Sequence, residues 1–221
     1  MESNTLTLIK RPSGGSTPSL RRIDPDALAS LRDLKNDYFL LVEPPRHPGP
    51  ADIHTWERWP GAMLVTLDSH PIDAPPNFAR LIAATGNPGR IRVLAEWVAE
   101  LAAPLDSHVY LLVTLEQHDE ADDADLMAEY QLAQEQLAEI ASSLRLLGIH
   151  TNWEVRFGEL GEEVATLART TGTEVVALDR PGADGPQCDV NRVYRYLERN
   201  GPRLHLLVKP ADESRSNGKP R

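Results

Sequence analysis

From residue 79 onward, short apolar runs alternate with stretches whose apolar residues recur at helical spacing. ARLIAAT (79–85) ends at Thr85-Gly86-Asn87-Pro88-Gly89. The following IRVLAEWVAELAAPL sets Ile91, Leu94, Ala95, Val98, Leu101 and Ala102 on one face. This order predicts a strand, a turn and an amphipathic helix. HVYLLVTLE (108–116) is rich in β-formers, and after the acidic EQHDEADDAD a long helical stretch runs to Leu147 and closes at Gly148. TNWEVRF (151–157) predicts a third strand, EEVATLARTTG a helix and TEVVALD (173–179) a fourth strand. VNRVYRYLERNG adds a short helix and RLHLLVKP (203–210) a fifth strand. Strands alternating with helices at this spacing imply right-handed crossovers and a parallel sheet with helices on both faces.

The first 78 residues follow a different pattern. MESNTLTLIKRPSGGSTPSLRR has the composition of a tail, and Asp24-Pro25 opens a predicted helix to about Leu34. DYFLLVE (37–43) and AMLVTLD (62–68) read as strands, separated by PPRHPGPADIHTWERWPG, whose Trp56 and Trp59 are expected to pack back on the domain, the alternative being a docking surface. The chain thus divides into an N-terminal extension with added strands (1–78), an α/β domain (79–210) and a C-terminal tail (211–221). Residues 1–20 and 211–221 are expected to be mobile, because such polar ends bury too little apolar surface to offset the entropy of ordering.

Composition narrows the function. The 221 residues carry a net charge of −10, and 11 of the 23 Lys/Arg against 23 of the 33 Asp/Glu fall between 61 and 208. Such a surface repels phosphate backbones, so nucleic acid is not expected as a partner. Every basic residue from 36 to 208 is Arg, which removes a Walker-type or Schiff-base lysine from that stretch. No run reaches the about 18 apolar residues of a membrane span, and the charged, polar N-terminus lacks the apolar centre of a signal peptide, so a cytoplasmic protein is expected. The single cysteine, Cys188, allows no disulfide framework and no Cys-based zinc site.

Candidate chemistry concentrates after the fourth strand, in DRPGADGPQCDVNRVYRY (179–196). Gly182 and Gly185 are spaced to let the backbone turn tightly and aim amide groups at an anion just before a helix. A loop of this composition also forms without any ligand. Arg180 and Arg195 could meet an anion directly, because a guanidinium matches phosphate geometry.

The order of elements, with LIAATGNPGRIRVLAEWVAELAAPLDSHVYLLVTLE and VRFGELGEEVATLARTTGTEVVALDRPGADG, resembles the universal stress protein family over residues 79 to 209. The resemblance implies an open five-stranded parallel sheet of order 3-2-1-4-5. It also implies a homodimer through the edge strand LHLLV around Leu206, the competing possibility being that DYFLLVE or AMLVTLD covers that edge within one chain. In nucleotide-binding members the loop reads G-x2-G-x9-G-(S/T). Gly182 and Gly185 fit, but Arg195 and Tyr196 stand where Gly-Ser/Thr is required, and the adenine-side Asp aligns with Thr85. A side chain as large as Arg fills space that a glycine would leave to the phosphates. Thr85, Gly86, Asn87, Arg180, Gly182, Gly185 and Arg195 are the residues of this degenerate site.

Other motifs point nowhere sharper. SGGS (13–16) resembles an ATP pyrophosphatase loop but lacks the helix that should follow it. His118, Asp119, Glu120, Asp122, Asp123 and Asp125 could collect a cation, without EF-hand spacing or its glycine. MLVTLDSHP (63–71) also looks like a family first strand, but the prolines after it exclude the required helix. His108 and His205 lie in strands with no paired nucleophile, and no GxSxG occurs. The sequence therefore predicts a non-enzymatic module with no cofactor, which binds a protein partner through its N-terminal extension. The alternative is an adenine-nucleotide or anion sensor with an altered glycine loop.

Overall fold

The structure, a computed structural model, describes residues 6–10, 20–23, 38–42, 62–66, 76–116, 123–179, 189–202 and 204–209. Nine strands form one sheet: β1 (Leu6–Lys10), β2 (Leu20–Ile23), β3 (Tyr38–Val42), β4 (Met63–Thr66), β5 (Arg80–Thr85), β6 (His108–Leu115), β7 (Thr151–Phe157), β8 (Val175–Leu178) and β9 (His205–Val208). The described helices are α1 (Ile91–Ala102), α2 (Asp123–Leu146), α3 (Leu160–Thr171) and α4 (Asp189–Asn200).

The sheet order is β2-β1-β3-β4-β9-β8-β5-β6-β7. Its parallel block β7-β6-β5-β8-β9 has the order 3-2-1-4-5 expected from the resemblance, and every pairing within it is parallel. The sheet does not end there. β4 pairs with β9 antiparallel, with Val65 opposite Leu206, and β3, β1 and β2 follow outward. The edge around Leu206, through which a homodimer was expected, is paired within the chain: β9 meets β8 on one side and β4 on the other.

The alternation of side chains along each strand divides the core in two. Leu81, Ala83, Val109, Leu111, Val113, Val175, Ala177 and Leu207 face α1 and α2. Ile82, Ala84, Leu112, Val176, Leu178, Leu206 and Val208 face α3 and α4. All four residues of β8 are buried, as expected for a strand covered on both faces. At the α3 terminus, Gly172 adopts φ 66 and donates its N–H to the Ala168 carbonyl, a left-handed stop that favours glycine. Arg80 satisfies another terminal carbonyl by donating from Nη1 to Thr171 at 2.8 Å.

The extension belongs to this architecture. β3 and β4 lie where strands were expected, and Phe39 of β3 stacks on Phe78 at a centroid distance of 5.8 Å, both within the core on the α1 side. Within the segment expected to be a mobile tail, β1 pairs with β2 on one side and β3 on the other. LTLI carries enough β-forming and apolar character to join a ladder once neighbours exist. The predicted helix from Asp24, the tryptophan segment, most of the acidic loop and the 211–221 tail lie outside the described residues.

Candidate functional site

The carboxyl ends of β5 and β8 meet at the point where the chain turns from winding one way across the sheet to the other, the place where open parallel sheets form a crevice. The β5 run LIAAT is fully buried, and Thr85 is its last residue, 1% exposed. Its Oγ accepts the Asn87 N–H at 3.0 Å, and the Asn87 carboxamide oxygen in turn accepts the Gly89 N–H at 3.0 Å. The Arg90 N–H donates to the Asn87 carbonyl at 2.9 Å. These bonds fold Pro88–Arg90 into a 3-10 turn and deliver the Arg90 side chain at the start of α1.

Arg90 reaches Asp179, the residue after β8. Its Nε donates to Oδ2 at 2.6 Å, and Nη2 lies 2.5 Å from the same oxygen. Asp179 is only 8% exposed, so this carboxylate is withdrawn from water and charge-compensated by a guanidinium. Ala84 pairs with Leu178, and Leu178 with Val208. The next residues, Thr85, Asp179 and Lys209, therefore form a row across β5, β8 and β9 on the α1 side of the sheet. Lys209 is 7% exposed, and its N–H donates to the Leu178 carbonyl at 2.9 Å. A buried lysine thus does lie within the domain, one position past the lysine-free stretch.

A second clasp ties the same end of the sheet to α4. Arg192, in the first turns of α4, pairs with Glu116 just beyond β6 and lies 3.8 Å from a carboxylate oxygen of Glu159. Glu159 also caps α3, accepting the Glu162 N–H at 2.9 Å. Arg156 on β7 carries its own pair of carboxylates, Glu154 and Glu163. Its proton affinity is raised by those partners despite burial, which acts in the opposite direction.

Thr85, Gly86 and Asn87 are thus brought together in one turn. Arg195 is not part of it: it lies exposed on α4, on the opposite side of the sheet from the Thr85 side chain. Tyr196 approaches α3: a Cβ built on Gly161 would stand 2.5 Å from the Tyr196 Cβ. Tyr196 packs between α3 and α4, beside the buried Val193 and Leu197. Arg180, Gly182, Gly185 and Cys188 lie outside the described residues, as do His118, Asp119, Glu120 and Asp122. Asp123 and Asp125 sit in the first turn of α2, where the helix dipole favours negative charge. Among the described residues no group of three or more His, Cys, Asp or Glu is placed to hold a metal ion.

The residues that sequence reasoning missed are Arg90, Asp179, Lys209, Glu116 and Arg192. Their available signal was position: charged residues directly after apolar strands, or in the turn before a helix, at the end of the sheet where crevices form.

No family model matches the chain, and no curated protein matches it. Among solved structures 84 chains match. One is a functionally unknown protein from Pseudomonas aeruginosa PAO1, at 14% identity and TM-score 0.55, covering 84% of this chain and 67% of that one. Another is a universal stress protein from Archaeoglobus fulgidus DSM 4304, at 12% identity and TM-score 0.50, covering 85% of this chain and 66% of that one. A third, the universal stress protein from Archaeoglobus fulgidus in complex with dAMP, matches at 14% identity and TM-score 0.42 over 61% of this chain and 99% of that one. The chain has a universal-stress-protein-like fold. Among the described residues no helix is long and apolar enough to cross a membrane.

Proposed function

We propose that the chain is a non-enzymatic binding module of universal-stress-protein-like fold, whose output is contact with another protein rather than family-type binding of ATP. The observation that carries this reading is the Asp179 carboxylate, buried at the strand-end crevice beside Thr85 and held by Arg90. A triphosphate entering there meets a fixed negative charge, and the Arg90 guanidinium is already engaged with it.

The extension offers another contact surface. β1 to β4 carry the sheet beyond β9 and end at β2, which among the described residues pairs on one side only. An open ladder edge is suited to a partner that adds a strand, main-chain bonds giving affinity. Equilibrium dialysis with ATP, ADP and AMP tests the crevice, with binding weaker than micromolar expected. Affinity capture by the full chain and by a variant with Arg21→Pro and Arg22→Pro tests the extension, with a captured protein expected only for the unmodified edge. Micromolar ATP binding by the native protein overturns the first half of the reading. Capture that the proline variant leaves unchanged overturns the second.

A further inference from the structure

β7 ends the sheet on the side away from the extension and, among the described residues, pairs on one side only, with β6. Two bonds fix which of its backbone groups face β6: the His150 carbonyl accepts the Val109 N–H, and the Gly158 N–H donates to the Leu115 carbonyl. Backbone groups alternate sides along a strand, so the even-numbered residues of β7 face β6, and Trp153, Val155 and Phe157 turn their N–H and C=O groups outward. Thr151 faces outward as well, but its carbonyl already accepts Arg145 Nε at 3.0 Å and Nη2 at 2.5 Å. The side chains alternate too. Trp153 and Val155 pack against the core beneath α1 and α2, and the exposed Phe157 stacks on Tyr130 of α2 at 5.1 Å. Glu154 and Arg156 lie on the α3 side, paired with each other, and Arg156 also with Glu163. We propose that this edge joins a second copy of the chain, β7 against β7 in an antiparallel ladder about a two-fold axis at Val155.

Charge selects the register. Outward groups must meet outward groups, so the axis passes through a residue rather than between two. An axis at Glu154 or at Arg156 sets two like charges opposite each other, which is unfavourable. An axis at Trp153 or before it needs the occupied carbonyl of Thr151, and one at Phe157 runs past the end of the strand. An axis at Val155 sets Glu154 opposite Arg156 of the second copy, and Arg156 opposite its Glu154. The four charges then alternate in sign around the axis, each Arg156 keeping its own Glu154. On the α2 face the same register sets Trp153 beside Phe157 of the second copy, an aromatic cross-strand pair. The exposed Met127 shares the stripe of α2 that carries Tyr130, Gln134 and Arg145 alongside β7, and so adds apolar area beside the edge. The contact uses neither the strand-end crevice nor the β2 edge, and so goes beyond the function proposed above.

The test is sedimentation equilibrium of the full chain across the micromolar range, where a contact of this small size is expected to form. The native protein is expected to reach twice the chain mass. Val155→Pro removes the outward N–H on the axis and leaves the ladder to β6 in place, and Glu154→Arg sets cations opposite each other. Each is expected to weaken dimerisation about tenfold or more. Mixing Glu154→Arg chains with Arg156→Glu chains is expected to restore the dimer, since only unlike copies then present opposite charges across the axis. The variant with Arg21→Pro and Arg22→Pro is expected to dimerise as the native protein does. Thermal unfolding establishes which variants are folded, and Val155→Pro with Glu154→Arg decides if Arg156→Glu is not. A native chain that stays monomeric throughout that range overturns the inference, as does a dimer that survives both β7 variants or is lost only in the β2 variant. A mixture of folded charge variants that stays monomeric overturns the register, and with it the proposal.

Discussion

Val65 of β4 lies directly opposite Leu206 of β9 in an antiparallel ladder, and both side chains are buried in the core beneath α3 and α4. An edge that the α/β block would otherwise leave open is thus closed by the chain's own extension. Leu206→Ala is expected to behave as a core truncation: a loss of about 2–5 kcal/mol in urea unfolding, with no change in sedimenting mass. A change in mass with little loss of stability would mean that β9 pairs between chains after all.

Gly161 of α3 and Tyr196 of α4 set how closely those helices approach. A Cβ at 161 would lie 2.5 Å from the Tyr196 Cβ and 3.0 Å from its Cγ. Gly161→Ala is therefore expected to destabilise by about 1–3 kcal/mol, the range for forcing extra volume into a packed contact. Because the nearest clash is with a Cβ, Tyr196→Ala should not relieve it, whereas Tyr196→Gly should recover part. Chemical denaturation of the single and double variants measures this coupling directly.

Removing one partner of a buried pair costs more than the pair contributes, because the other charge is left behind. Arg90→Gln is expected to lower stability by about 1–3 kcal/mol, as the mostly buried Asp179 loses its charged donor. Arg92→Gln, one residue into α1, breaks an ion pair whose side chains are 48% and 66% exposed, and should change stability by less than about 1 kcal/mol. Equal losses in the two variants would remove the distinction drawn between these pairs.

The parallel block was legible because four of its strands are apolar runs and the fifth, TNWEVRF, alternates polar with apolar or aromatic residues, and each helix between them has an apolar face. TNWEVRF coincides with β7 residue for residue. β1 and β2 were not, since strands of five and four residues inside a Ser/Gly/Pro-rich segment give too few alternations to register. Nor does sequence say that β4 will pair with β9, because antiparallel pairing between distant segments depends on which edge is left open. The candidate site was half legible for a related reason. Thr85, Gly86 and Asn87 are contiguous and follow from the end of a strand, while Arg90 and Asp179 are joined only by the sheet order that sets β8 beside β5. Arg195, singled out by its spacing, lies exposed on α4, and spacing along the chain carries no information about which side of the sheet a helix covers.

The opposite end of the sheet carries a pH response. His108 opens β6, where its ring stacks on Tyr110 at 4.5 Å and lies 6.2 Å from His150. Its Nε2 is buried without a hydrogen-bond partner. Burial lowers its pKa from the ordinary 6.5, with smaller contributions from the nearby charges of His150 and Arg80. A histidine whose pKa is depressed by folding is held neutral in the native state and takes up its proton more readily when unfolded. Its contribution to stability is therefore fully present above the unfolded value of about 6.5 and is lost as pH falls from there through the lowered folded value. His108→Phe keeps the stack on Tyr110 and removes the titration. Urea midpoints measured at pH 7.5 and pH 5.5 (working conditions of about one unit either side of the free histidine) should fall on acidification in the native protein and fall less in the variant. An equal fall in both would assign the acid sensitivity to other groups, and an NMR titration showing His108 at or above 6.5 would contradict its neutral burial.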